Sequence, residues 1–414
     1  MRRSVTLSRI FKSESLHIPA LATDFLFMVL FFIVFIPASF NHDFTAISLY
    51  LVIPFLFAYS LYHSFSLFTR FRFYRLFIFL FCWMLFSGIV AADKDLYLAE
   101  IKEMLAVVMF TFVLIRFCWT NYRYIYYFYL LYIIKFLYIF YYAYQNGLFA
   151  VNLSSERFNL DELNANVFGY FGFFALIAAF LLAAYTRKFQ KSFYTLLFYL
   201  IFVLVITAGV LAASRGTLLI SIIAFVILLM IKYLYPISIR SVLPLILLAI
   251  SVFIVSKYLD STFQNSLIKA RFDAKEDSRY DLLVRAFDIG KENIVLGVGS
   301  GNFVLYNPEH QFSHNSFAEL WATNGLVALI LFVLLLLEAL RNIIQYIKVG
   351  GDRKIAYYFL LIWATFSIYN FFYVFYINFF MIAFIFLIVI HVKHLKVIRL
   401  KSRIKKPQPA SLSL

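Results

Sequence analysis

The 414-residue chain has little charge: Asp, Glu, Lys and Arg make up 14%, against about a quarter in ordinary soluble domains. It has only two cysteines, Cys82 and Cys118, both in apolar stretches. Two isolated cysteines supply neither a disulfide framework nor a zinc spacing, which excludes a secreted disulfide module. They read as small apolar side chains. No internal repeat and no soluble second domain are visible. What the chain does have is apolar surface, with 64% hydrophobic residues, 53 Phe and 30 Tyr. A soluble core cannot hide that much. A cytosolic enzyme is therefore excluded, and so is nucleic-acid binding as the meaning of the +16 net charge.

A helix needs about 20 apolar residues to cross a bilayer. Twelve stretches qualify, roughly 18–38, 45–62, 74–92, 100–116, 124–145, 165–185, 193–211, 216–233, 241–257, 316–339, 355–371 and 376–392. The first follows Arg2, Arg3, Arg9 and Lys12, as a signal peptide would. Its apolar run is too long for that, and more spans follow. Lys and Arg mark the cytoplasmic side. With twelve spans and both termini inside, 25 of the 37 basic residues fall inside and 17 of the 21 acidic ones elsewhere. The charge is thus a topology signal, with attraction of the basic tail to anionic lipid secondary. The expected fold is one all-α polytopic membrane domain over 1–414, with a long periplasmic loop at 258–315 and a flexible cytoplasmic tail at 401–414.

The polar chemistry gathers in the outer segments. In the long loop, Ser278 to Gly290 reads as a helix, with Ser278 and Asp281 resembling a capping box and Gly290 as the terminating residue. At about 100° per residue, Leu282, Leu283, Ala286 and Phe287 share one arc, with Asp281, Arg285 and Asp288 opposite. Arg279 falls inside the apolar arc, where an unpaired charge is expensive, so it is a candidate anion ligand. In Leu296-Gly297-Val298-Gly299-Ser300-Gly301-Asn302, alternate glycines suit either a phosphate cradle or a tight re-entrant turn, the turn being the better reading alone. Ser316 and Glu319 match a capping box for the tenth span, placing His314 and Asn315 just before it. Arg215 interrupts a long apolar run at the outer end of two spans, where ionisable groups mark function. Arg157 and Asn166 lie in and after the shorter outer loop, Asn166 also suiting an N-cap. Lys135, in mid-span, suits a buried pair with Glu100 or Glu103.

Arginine forks suit phosphate oxygens, and neutral histidine accepts a proton near neutral pH. Arg215, Arg279 and His314 on one face therefore fit glycosyl transfer from a lipid diphosphate. Metal binding is not expected, on the reading that the chain has no carboxylate-rich metal motif such as DxD and no HExxH.

The order of Ala213-Ser214-Arg215-Gly216, Asp277-Ser278-Arg279, Leu296-Gly297-Val298-Gly299 and His314-Asn315-Ser316-Phe317 through Asn324-Gly325 resembles the O-antigen ligase and polymerase family of bacterial envelope glycosyltransferases. Asn164-Ala165-Asn166 resembles an asparagine of that family ahead of an earlier span. The resemblance covers about Arg157 to Phe332 by motif. It implies a GT-C-like membrane enzyme of the bacterial inner membrane, without cofactor or metal, facing the periplasm. It implies an undecaprenyl-diphosphate-linked glycan donor and inverting transfer. Arg215 and Arg279 would bind the diphosphate with Gly299 and Gly301, and His314 would act as base. Arg157, Asn166 and Asn315 would support them. The acceptor would be lipid A–core in a ligase, another lipid-linked repeat in a polymerase, or protein serine in a third branch. A reading from another class is a lipid-linked glycan flippase, which would want ionisable residues along a central cavity.

Overall fold

The computed structural model describes residues 18–35, 42–145, 159–160, 163–185, 188–211, 215–234, 278–308 and 310–404; side chains at some segment ends, those of Asn166 and Arg215 among them, are not described. The ninth expected span (241–257), the first part of the long loop, Arg157 and the tail beyond 404 lie outside the described residues.

Among the described residues the architecture is helical, apart from a two-residue antiparallel pair, Asn159–Leu160 with Leu163–Asn164. In order come α1 (Ile18–Phe35), α2 (His42–Ile47), a π turn (Ser48–Val52) leading into α3 (Ile53–Ser64), α4 (Ser66–Arg70), α5 (Arg72–Ser87), α6 (Lys94–Thr120) and α7 (Arg123–Gln145). Then follow α8 (Ala165–Tyr185), α9 (Lys188–Leu211), α10 (Arg215–Leu234), α11 (Ser278–Glu292), a 3-10 turn (Asn302–Tyr306), α12 (Ser316–Lys348), α13 (Arg353–Tyr369) and α14 (Phe379–Ile404). Helices satisfy their own backbone groups, which lipid cannot do. Among the described residues, five helical stretches are long and apolar enough to cross a membrane: Thr45–Ser64, Arg123–Gln145, Ser192–Gly209, Ser316–Lys348 and Phe379–Ser402. This is a polytopic membrane protein; the full set of twelve spans remains an expectation.

Two helices form the centre. Every residue from 169 to 183 in α8 and from 381 to 392 in α14 is buried. Alanines in α8 allow close approach, and a Cβ on Gly172 would meet Phe136 and Val205 at 2.9 Å. Peripheral helices are one-sided: α1 buries Asp24, Phe27, Met28 and Phe31 while Phe25, Leu26, Val29 and Leu30 face out. That is an apolar stripe for lipid. Many aromatics lie between helices, as in Phe31 on Phe110, Tyr132 on Phe384 and Phe180 on Tyr358.

The contacts sort the connecting segments onto two poles. At one, Asp93, the glycine loop, the start of α12 and residues 370–376 touch one another. At the other, Arg72 and Arg341 flank Glu338, Lys354 donates to Lys232 O, and Lys396 donates to Gln345. These are the two groups of segments that the charge bias assigns to opposite sides. Of the two carboxylates considered for Lys135, Glu100 accepts from Tyr376 and Glu103 is exposed, and the Lys135 ammonium lies 3.9 Å from the Phe380 ring centroid.

Candidate functional site

The site is built where α12 begins. Asn315, not Ser316, caps this helix: its side chain accepts from the N–H groups of Phe317 and Ala318 at 2.9 and 3.0 Å. Ser316 is the first helical residue and serves elsewhere. Its N–H donates to Asn370 O at 2.8 Å, its hydroxyl donates to Tyr373 O, and the same hydroxyl accepts from Phe375 N–H. The Glu319 carboxylate reaches back past the cap to the Ser313 N–H at 2.7 Å. His314 lies between these anchors, half-buried, at φ 56°. This left-handed conformation is uncommon for a residue with a side chain.

The glycine loop is fixed by a break in α12. Gly325 has φ 75° and ψ 179°, so the helical ladder stops there. Buried carbonyls released by a break need donors. Val298 N–H bonds Ala322 O, Gly299 N–H bonds Thr323 O, and Trp83 Nε1 bonds Asn324 O, all within 2.8–2.9 Å. In return Leu326 N–H donates to Ile294 O at 2.7 Å. Other loop amides are also occupied: Gly297 N–H on Asn293 O, Ser300 N–H on Ser87 Oγ, and Asn302 N–H on Gly299 O. A Cβ on Gly299 would lie 2.6 Å from Ala91 Cβ, and one on Gly301 2.7 Å from Leu96 O. Most of the amides that a phosphate would need are thus taken by protein, and this geometry favours the tight-turn reading.

Arg279 lies in the first turn of α11 and is half-buried. The helix runs to Glu292, so Gly290 does not end it; that glycine instead packs against Trp321, where a Cβ would come within 2.9 Å. Leu282 and Ala286 pack with Phe303, Ala318 and Ala322, and Phe287 meets Trp321 edge-on. Asp281, Arg285 and Asp288 are exposed, as the periodicity requires. The structure therefore brings the Arg279 helix onto the first turns of the helix that follows His314. Arg215 opens α10, which packs on α8, α9 and α13. Ser221 of α10 faces Tyr369, next to the Asn370 that holds Ser316. Asn166 falls in the first turn of α8, which starts at Ala165. Arg157 is outside the described residues.

Other buried polar groups gather around the site. Glu100 is buried and accepts from Tyr376 Oη at 3.2 Å. Ser87, Ser300 and Asn324 form one buried hydrogen-bonded group. The expectation that no DxD appears is corrected: Asp93 and Asp95 spell one, and the Asp93 carboxylate caps α6 by accepting from Asp95 and Leu96 N–H. Its backbone N–H donates to Asn302.

A family model described as O-Antigen ligase matches residues 200–333. That stretch takes in Arg215, Arg279, the glycine loop, His314 and Gly325. It bears out the resemblance read from the motifs, and leaves Arg157 and Asn166 outside the matched region. No curated protein matches the chain.

Proposed function

For a chain that carries the O-antigen ligase domain over residues 200–333, we propose a membrane glycosyltransferase that moves an undecaprenyl-diphosphate-linked glycan to a hydroxyl of lipid A–core. The setting is the periplasmic face of the bacterial inner membrane. The observation that carries the reading is the packing of the Arg279 helix against the helix that begins beside a left-handed, half-buried His314.

Arg215 is the first residue of α10 and Arg279 the second of α11. Helix N-termini favour anions through their free N–H groups and dipole. Two guanidinium forks there hold the donor diphosphate and stabilise its charge as the bond from the anomeric carbon to the diphosphate oxygen breaks. His314 takes the proton of the acceptor hydroxyl as that oxygen attacks the opposite face of the sugar, so the configuration inverts. Asn315 supports His314 by fixing the start of α12. Arg157 and Asn166 are assigned supporting contacts to the donor. Gly299 and Gly301 shape the site by letting the loop close on α6 and α12. The scheme uses no metal and no cofactor.

The test is a gel of lipopolysaccharide from the host with this gene deleted. Lipid A–core bare of glycan, with lipid-linked polymer accumulating, is the expected result. Core capped by a single repeat would make the chain a polymerase that extends lipid-linked repeats. An unchanged pattern would overturn both acceptors.

A further inference from the structure

Glu319 is 1% exposed, yet among the described residues it makes no ion pair, and its Oε1 has no hydrogen-bond partner. A second buried carboxylate, Glu100, accepts from Tyr376 Oη at 3.2 Å, and its charge and that of Glu319 repel. Burying charge without a cation is costly, and stability alone would favour an apolar side chain at residue 319. Among the described residues its carboxylate is held by the 2.7 Å bond from Ser313 N–H to Oε2. On the other side of His314 the backbone is held by the Asn315 cap and by Ser316 N–H on Asn370 O. His314 is thus one residue between two anchors, in a conformation that persists only when its surroundings impose it.

We infer that Glu319 is the positioning residue for His314, its carboxylate clamping the chain just before the histidine so that the imidazole is presented at a fixed place. The inference rests on the proposed role of His314.

The experiment uses the purified full chain with lipid-linked glycan extracted from the gene-deleted host and that host's lipid A–core. A displaced base slows the chemical step while leaving donor binding intact, so Glu319→Ala should lower kcat about 10- to 100-fold with donor KM changed less than about twofold. Glu319→Gln keeps the acceptor oxygen at the same reach and should stay within about threefold of the unmodified protein. Glu319→Asp keeps the charge but withdraws the oxygen, and should behave like the alanine variant. The order Gln above Asp is the signature of a geometric role. Asp above Gln, or a fully active Glu319→Ala, overturns the inference. If the alanine variant does not fold, the order of Gln and Asp decides alone. His314→Ala is run alongside. Normal transfer by it overturns the proposed chemistry and the clamp with it, whereas an inactive His314→Ala beside an active Glu319→Ala overturns the clamp alone.

Discussion

A Cβ added at Gly325 would lie 1.9 Å from Val295 O, at a φ of 75° that side-chain-bearing residues rarely adopt. Gly325→Ala is therefore expected to destabilise the protein by about 3 kcal/mol, read as a lower melting temperature in detergent. Asn315→Ala removes a helix cap and should cost about 1 kcal/mol, with Asn315→Asp close to neutral. A melting temperature unchanged in Asn315→Ala would deny the cap. Residue type and position made His314, Arg215 and Arg279 legible in the sequence, because charge and imidazole at span ends demand explanation. The cap was misplaced by one residue for a physical reason. Asn315 and Ser316 are both good caps, and only the distant 370–375 segment, which needs the Ser316 hydroxyl, decides between them. Glu319 looked like half of a local capping box, whereas its partner is the N–H that precedes the histidine.

At the scale of elements, α11 shows what periodicity can foresee. Its buried arc was readable, because the helix repeat places Leu282 and Ala286 together. Leu282→Asp puts a charge into that seam against Phe303, Ala318 and Ala322. It should loosen α11 and raise proteolysis between residues 278 and 292, with membrane insertion kept; an unaltered cleavage pattern would contradict the packing. The glycine loop shows the opposite case. Alternating glycines state that the backbone is bare, and they do not state what approaches it. The answer lies far along the chain, in the carbonyls of Ala322 and Thr323 released by the break at Gly325 and in Ala91 and Leu96 beside the start of α6. Loop and break explain each other, and neither pattern is intelligible without the other. Boundaries moved for a related reason: α6 starts at Lys94, ahead of the apolar run, because Asp93 caps it.

At the scale of the molecule, hydropathy and charge order gave the class and the alternation of segments. They did not reveal that α8 and α14 form the centre, since every span looks apolar whether it faces lipid or protein. The two poles lead to a labelling prediction. In a Cys82→Ser background, with Cys118 buried, Asp288→Cys should react with an impermeant maleimide in intact spheroplasts, and Arg353→Cys only after permeabilisation. The reverse pattern would invert the topology. A buried pair also spans the fold: Asp24 of α1 lies 3.6 Å from Arg116 of α6. Asp24→Asn leaves the guanidinium uncompensated and should cost about 3 kcal/mol or more in unfolding assays.

The most direct measurement is complementation of the gene-deleted host by His314→Ala, with the variant's membrane level and melting temperature matched to the unmodified protein. The expected result is no glycan on lipid A–core and accumulated lipid-linked glycan. A normal glycan ladder from this well-folded variant would contradict the assignment of glycan transfer to this site.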